Sequence, residues 1–472
     1  MTAMVVPPVD LAPSRLTPDE RATVQRLVEQ LQNAQRHNNL MERYYEGKNF
    51  VRDLGIAIPP HLRDLEAVVG WPGVAVDSVE ERLDHDGWTV TGSDQLESEV
   101  EEIVEANQLD DELGAGRLDA LIYGIAYITA GTGAAGEPSP LVTIESPRWM
   151  TGLWNRRRRA IDAAMSVTWG SEYPGQVTDV TLYLMGETVR LQANGIGQWR
   201  VVDRDAHGLP FVPVWPLINR RRRGDEGGRS EITRAIRSVT DNAVRTVLGM
   251  EIHREFHVAP QRWIMGASES AFVGPDGKPK TAWETYLGRV LALEANERGE
   301  TPEVGQFPSS SPSGYIEQLR ALAQMAASES GVPVKSFGLV HESNPASADA
   351  ALVDESRLNK RVERRQRTFG RTEAAAMRGA LWIHHGTDPG VTPTPVYRPA
   401  ATPTLAASAD ATQKLVSAGI LPPHSDVTLR RIGLTEAERA QVRDDWRRER
   451  AGAMIAALSR ASDSEGDVGD ES

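Results

Sequence analysis

Val212-Pro-Val-Trp-Pro-Leu-Ile-Asn-Arg220 opens a stretch, residues 212–369, whose order of segments decides the fold. Ser230-Glu-Ile-Thr-Arg-Ala-Ile-Arg-Ser-Val239 then starts a long amphipathic helix, expected over 231–253 with Ser230 as N-cap. Its apolar stripe is Ile232, Ile236, Val239, Ala243, Val247 and Leu248, with Arg234, Arg237, Asp241 and Arg245 lying off it. At 1.5 Å per residue the helix is roughly 33 Å long. A strand-like insert rich in Gly, Pro and Trp follows over 257–307. A second helix, 315–330, carries Tyr315, Leu319, Leu322 and Ala326 in register. Gly331-Val-Pro-Val-Lys-Ser-Phe-Gly338 begins a non-helical loop, 331–346, and 347–385 returns to helix with the basic run Lys360-Arg-Val-Glu-Arg-Arg-Gln-Arg367. No step in this order supplies a nucleophile or a metal cage. It is the order of a scaffold.

Toward the N-terminus, Thr17-Pro-Asp-Glu20 is a capping box with Pro at the first helical position. The helix it opens carries Val24, Leu27, Val28 and Leu31 on one face and stops near Gly47. Residues 68–83 are apolar with a break at Trp71-Pro-Gly73, 95–108 form an acidic helix, and 110–127 form another. Between 141 and 214 the pattern changes to short alternating runs divided by Gly, Pro, Asn and Asp, which predicts an antiparallel β-rich module. Toward the C-terminus an extended Pro-rich segment, 392–404, precedes two helices, 406–418 and 435–458. The second has its own capping box, Thr435-Glu-Ala-Glu438. The acidic end, 461–472, is too polar to pack and is expected to be disordered.

At 472 residues the chain exceeds one ordinary core. Its 40% hydrophobic and 25% charged content is that of a soluble globular protein. No apolar run approaches the ~18–20 residues of a membrane span, and the N-terminus has neither the basic nor the apolar region of a signal peptide. Without cysteine, disulfides and thiolate metal sites are excluded. A net charge of −14 repels a phosphate backbone and disfavours tight, sequence-reading DNA binding. It still permits a surface past which DNA slides.

The apparent chemical motifs have structural readings. Gly131-Thr-Gly-Ala-Ala-Gly136 matches a dinucleotide fingerprint, but Glu137-Pro-Ser-Pro140 cannot continue as the helix that motif needs, so a hairpin turn is expected. There is no phosphate-binding Walker sequence. His253 and His257 have the spacing of one helical face, yet Arg254 stands where a zincin needs Glu and no third ligand is near. His384 and His385 point apart on a helix. The runs 156–159 and 220–223, four Arg each, follow apparent strands and are expected in solvated loops or on an inter-subunit ion-pair surface. Neither a cofactor, a metal nor an enzymatic activity is expected.

With these residues in view, the chain resembles the portal proteins of tailed, double-stranded-DNA bacteriophages of the long-tailed type, over roughly 40–381. The likeness rests on an ordered series: Tyr44-Tyr-Glu-Gly-Lys48; Val74-Ala-Val-Asp-Ser-Val79 with Leu83 and Gly87-Trp88; the run 121–129; 142–148; 212–220; the helix 231–253; Gly331-Val-Pro-Val-Lys-Ser-Phe-Gly338; and Asn344-Pro-Ala-Ser-Ala-Asp-Ala-Ala351. The resemblance implies an α+β portal fold assembled as a ring, a dodecamer in the virion. Its parts would be a flexible arm (1–16), a wing (17–228), a first stem helix (229–256), a β-rich clip (257–310) and a second stem helix (311–330). A tunnel loop (331–346), a long kinked wing helix (347–390), a helical crown (391–460) and the acidic tail (461–472) would follow. It also implies double-stranded DNA as a non-specific partner, with the large terminase, the major capsid and scaffolding proteins and the head–tail connector docking on the ring. Assembly would take place in the bacterial cytoplasm.

A stem helix with one apolar stripe suits a ring in which a neighbouring copy buries that stripe. Lys335, His341, Glu342, Ser343 and Asn344 are the tunnel-loop candidates for weak, reversible contact with DNA. Lys360, Arg361, Arg364, Arg365, Arg367 and Arg371 form a basic helix opposed only by Glu363. Its partner is either DNA phosphate or an acidic face of a neighbouring subunit, and the sequence leaves both open. Two rivals have other chemistry: a DNA-binding head-completion or minor capsid protein using the Arg runs, and an enzyme using the His253/His257 pair.

Overall fold

The computed structural model describes residues 15–48, 67–170, 177–193, 199–224, 226–257, 262–265, 273, 303–306, 311–338, 348–401 and 405–466. Helix α1 (Pro18–Tyr45) begins at the capping box: the Thr17 hydroxyl accepts from the Glu20 amide at 3.3 Å, and the Glu20 carboxylate from the Thr17 amide at 2.8 Å. Its Val24, Leu27 and Leu31 are fully buried, each worth roughly 1.5–3 kcal/mol. They pack on a five-stranded antiparallel meander of β4 (Met150–Asn155), β5 (Ala160–Trp169), β6 (Val177–Tyr183), β7 (Thr188–Ala193) and β8 (Trp199–Asp205). The β-rich module is therefore where alternation placed it. Leu16, assigned to the loose arm, joins this core because it sits one turn before the buried face of α1; 1–14 lie outside the described residues.

A second antiparallel sheet has the order β3 (Leu141–Glu145), β2 (Ile125–Gly131), β9 (Val214–Ile218). The fingerprint-like glycines form the β2–β3 hairpin turn as expected, with Gly131 opposite Leu141. One face of this sheet meets the main core, formed with α2 (Trp71–Glu80), α4 (Leu109–Tyr123) and the long helix α7 (Ala348–His385). Trp71-Pro-Gly73 is the first turn of α2 and not a break, because Pro fits where an amide has no helical partner. The acidic helix is α3 (Asp94–Ala106), capped by Ser93.

The helix expected over 110–127 ends at Tyr123. Gly124, at φ +105, turns the chain directly into β2. A Cβ on the nearby Gly228 (φ +69) would lie 2.1 Å from the Gly124 carbonyl oxygen and 2.6 Å from that of Asn219. Gly228→Ala is thus expected to cost at least about 2 kcal/mol in chemical denaturation. A loss within about 0.5 kcal/mol would show that the junction yields.

Helix α5 spans Arg234–His257 and α6 spans Ser313–Ser330. The cap of α5 is Thr233 rather than Ser230: its hydroxyl accepts from the Ile236 amide at 3.2 Å and donates to Glu329 of α6 at 3.0 Å. Ser230 instead accepts from the Ile232 amide, one step too early to cap. Four of the six stripe residues of α5 are buried inside the chain, while Val247 and Leu248 stay half-buried. Ile232, Ile236, Val239 and Ala243 are buried with Leu319, Leu322, Ala323 and Ala326 of α6, because the two helices pair within the chain. Within 257–310, β10 (Arg262–Met265) pairs antiparallel with β11 (Glu303–Gln306).

Helix α7 is helical at every position from Ala348 to His385, about 57 Å of rise. Beyond it, β12 (Thr394–Tyr397) pairs antiparallel with β1 (His85–Thr89). Three helices then follow among the described residues where two were expected: α8 (Leu405–Ser417), α9 (Asp426–Ile432) and α10 (Glu436–Gly466). The additional α9 is short but bounded, capped by Ser425 and ended by Gly433. Helix α10 continues past 460 into the acidic end; 467–472 lie outside the described residues.

Candidate assembly and DNA-facing surfaces

Glu231, just ahead of α5, is where the sheet, the helix pair and α7 meet. Its carboxylate takes Arg365 of α7 at 2.6 Å and Arg220 at 3.6 Å, and the Asn219 side-chain amide donates to it at 3.2 Å. Its own amide donates to the Leu121 carbonyl, 2.9 Å away, at the end of α4. A second buried pair holds α7 to α4: Arg117 Nε lies 2.9 Å from Glu373, whose other oxygen accepts from Tyr397 of β12 at 2.6 Å. Burial and the adjacent Glu373 charge raise the Tyr397 pKa, so its hydroxyl stays a donor.

The six basic candidates of α7 separate by geometry. Arg365 is buried against Glu231. Arg361 is half-buried and donates to the carbonyls of Ser330 and of Glu329, the latter at 2.8 Å, satisfying the end of α6. Lys360, Arg364, Arg367 and Arg371 are exposed on one face. Among the described residues, the guanidiniums of Arg367 and Arg371 bond only backbone carbonyls four residues back. Sequence reading grouped all six. The signal it passed over is that Leu358, Val362, Arg365 and Phe369 share one helical stripe, which puts Arg365 among core positions.

Gly331 ends α6 in a left-handed turn, and 331–338 form an anchored segment. Val334–Phe337 make one 3-10 turn, Val332 and Phe337 are buried, and Phe337 meets Trp71 edge-on at 6.0 Å. Lys335 pairs with Glu355 of α7 at 3.3 Å, a carboxylate that also takes Arg82 at 3.1 Å. His341, Glu342, Ser343 and Asn344 lie outside the described residues.

The Arg runs sit in turns and are engaged by their own chain. Asn155 accepts from the Arg157 and Arg158 amides, Arg156 pairs with Glu226 and Arg158 with Asp162, and Arg221 stacks over Trp154 at 4.2 Å. His253 packs its ring against Tyr315 of α6 at 5.5 Å; the His257 side chain lies outside the described residues. His385 pairs with Glu99 of α3 at 2.8 Å. Among the described residues no group of three or more His, Asp or Glu could hold a metal ion, and no helix is long and apolar enough to cross a membrane.

An ionic cluster absent from the sequence reading fastens the C-terminal helices. Asp86 of β1 takes Arg439 at 3.0 Å, Arg430 at 3.2 Å and Arg398 at 3.5 Å, while Asp426 takes Arg439 at 3.0 Å. Arg439 is 2% exposed, and only its tertiary partners explain a charge so deeply buried.

Residues 25–452 match the family described as phage portal protein, SPP1 Gp6-like. The portal protein of Mycobacterium phage D29 is 33% identical over 436 residues, covering 89% of this chain and 87% of that relative. The portal protein of Mycobacterium phage L5 is 32% identical over 440 residues with the same coverage. Among solved structures, a chain of the virion of a native gene transfer agent particle is 15% identical, with a TM-score of 0.45, over 84% of this chain and 93% of that one. The chain belongs to the phage portal protein family, a structural one, and its fold is α+β.

Proposed function

We propose that copies of this chain close into a ring, a dodecamer, at one vertex of a tailed-phage capsid, and that double-stranded DNA is packaged and ejected through the bore. The observation that carries this reading is family membership along almost the whole chain, residues 25–452. The large terminase, the major capsid and scaffolding proteins and a head–tail connector are the partners such a ring needs, and the bacterial cytoplasm is where it would assemble. The acidic balance of −14 supports a conduit that does not hold its cargo. The rival, a DNA-binding head-completion protein, draws little support from the Arg runs, four of whose eight guanidiniums face Glu226, Asp162, Glu231 and Trp154 of their own chain.

Electron microscopy and mass photometry of the purified chain test the reading. Rings of about twelve copies with an open bore are expected; a persistent monomer at micromolar concentration, or a disc without a bore, would overturn it. The tunnel-loop assignment has its own test. Because Val332 and Phe337 are core residues, the replacement begins after Gly338. Exchanging 339–346 for a Gly/Ser linker is expected to leave ring assembly intact and reduce packaged DNA to background. Normally filled particles would remove this segment from the DNA path.

A further inference from the structure

The exposed basic residues of α7 form a ridge whose C-terminal part, at Arg367 and Arg371, has a groove on either side. Lys360, Arg364, Arg367 and Arg371 fall within an arc of about 60° on the helix, and among the described residues none has a carboxylate within ion-pair distance. One groove, of ≈ 850 Å³, is floored by Gly370, Ala374, Pro395 and Tyr397. The other, of ≈ 620 Å³, is walled by Trp154, Met185, Phe211 and Trp215 and rimmed by Arg158, Arg159 and Arg221. Arg371 and Ala375 line both, so ridge and grooves are one continuous surface. The Trp154 indole N–H is buried there with no acceptor among the described residues. Arg, Trp, Tyr and Met around apolar hollows are the composition of a protein interface. A DNA phosphate needs the arginines but not the hollows, which favours a protein occupant.

The chain also carries the complement. Between Asp94 and Gly116 it has nine acids and no Lys or Arg. Glu101, Glu102 and Glu105 of α3, with Asp111 and Glu112 of α4, are exposed, and no described ion pair joins this face to the α7 ridge. A closed ring is built from heterologous contacts, in which two different faces of one chain meet. Copies carrying −14 each repel one another. Close opposite charges at the contact offset that repulsion, which salt screens beyond about 8 Å. Most of the apolar stripe of α5 is already buried within the chain, with Val247 and Leu248 left half-buried, which points to another face for the main contact.

We propose that the α7 ridge and its flanking grooves receive the acidic α3–α4 face of the next copy. This rests on the ring reading above. The test uses the full chain at near-physiological salt, with mass photometry for ring size and circular dichroism for folding. Arg364→Glu with Arg367→Glu is expected to convert rings to monomers, as is Glu101→Lys with Glu105→Lys, and the chain carrying all four changes is expected to recover rings. The milder pair Arg364→Gln with Arg367→Gln should raise the concentration for half-assembly at least tenfold, so the result does not rest on a charge reversal alone. Rings that persist in both Arg pairs overturn this surface while leaving the ring reading intact, and persistence with a loss of duplex binding would make the ridge a DNA contact. Loss in both reversal pairs without recovery in the combined chain overturns the pairing of these two faces. A wild-type chain that never forms rings overturns both readings.

Discussion

Arg365→Ala will destabilise the protein by about 3–5 kcal/mol, whereas Arg364→Ala, one residue earlier, will change stability by no more than about 0.5 kcal/mol. The Arg365 and Glu231 side chains are only 7% and 2% exposed, with Arg365 Nη2 2.6 Å and Nε 3.2 Å from one carboxylate oxygen. Without the guanidinium, the buried Glu231 keeps Arg220 at 3.6 Å and the Asn219 amide at 3.2 Å. That is too little to replace the water it lost. Arg365→Lys will recover only part of the loss, since an ammonium cannot reproduce the two-nitrogen approach. Exchanging both partners, Arg365→Met with Glu231→Leu, will cost far less than either single change, because no charge is left buried. Chemical denaturation of the unmutated chain, Arg365→Met, Glu231→Leu and the double change as a double-mutant cycle measures this. A single-site loss for Arg365→Ala below about 1 kcal/mol would show that the pair does not hold α7 to the start of α5.

Asp86→Ala will release the C-terminal helices while the rest of the chain stays folded. The carboxylate lies among Arg398, Arg430 and Arg439, so removing it leaves Arg430 and the buried Arg439 sharing Asp426, and Arg398 with the exposed Asp84. Apolar burial cannot compensate. Leu429 is a buried anchor of this region, but Leu405, Ile420 and Val427 are 70%, 65% and 50% exposed. Loss of a buried ionic partner, about 3 kcal/mol or more, corresponds to amide exchange in α9 accelerated at least about a hundredfold. Amides of α4 and β2 should be unchanged. Asp86→Asn keeps one acceptor and will show a smaller effect. Unaltered protection of α9 in Asp86→Ala would mean that contacts other than this cluster dock the helices.

Much of the fold was legible because its signals are local. The Thr17 box, the glycine-rich hairpin between β2 and β3 and the alternation across β4–β8 depend on residues a few positions apart, and each appears where those residues put it. Boundaries were less legible where two local signals compete. Ser230 and Thr233 are both good caps, and only the Glu329 carboxylate across the helix pair shows why Thr233 is placed to serve. Trp71-Pro-Gly73 reads equally as a break and as a first helical turn, and burial of Trp71 against Phe337 goes with the turn.

Composition and periodicity by themselves determined an acidic, cysteine-free chain of helices with a β-rich module and a long basic helix, and an ordered series of motifs carried its resemblance to portal proteins. Tertiary structure alone decided what the residues of that helix do. Arg364 and Arg365 are chemically identical neighbours, and helical geometry turns one outward and the other into the core toward a carboxylate 134 residues away. Whether a charge is solvated, buried or left for a partner depends on what surrounds it in space, and a linear chain does not carry that distance.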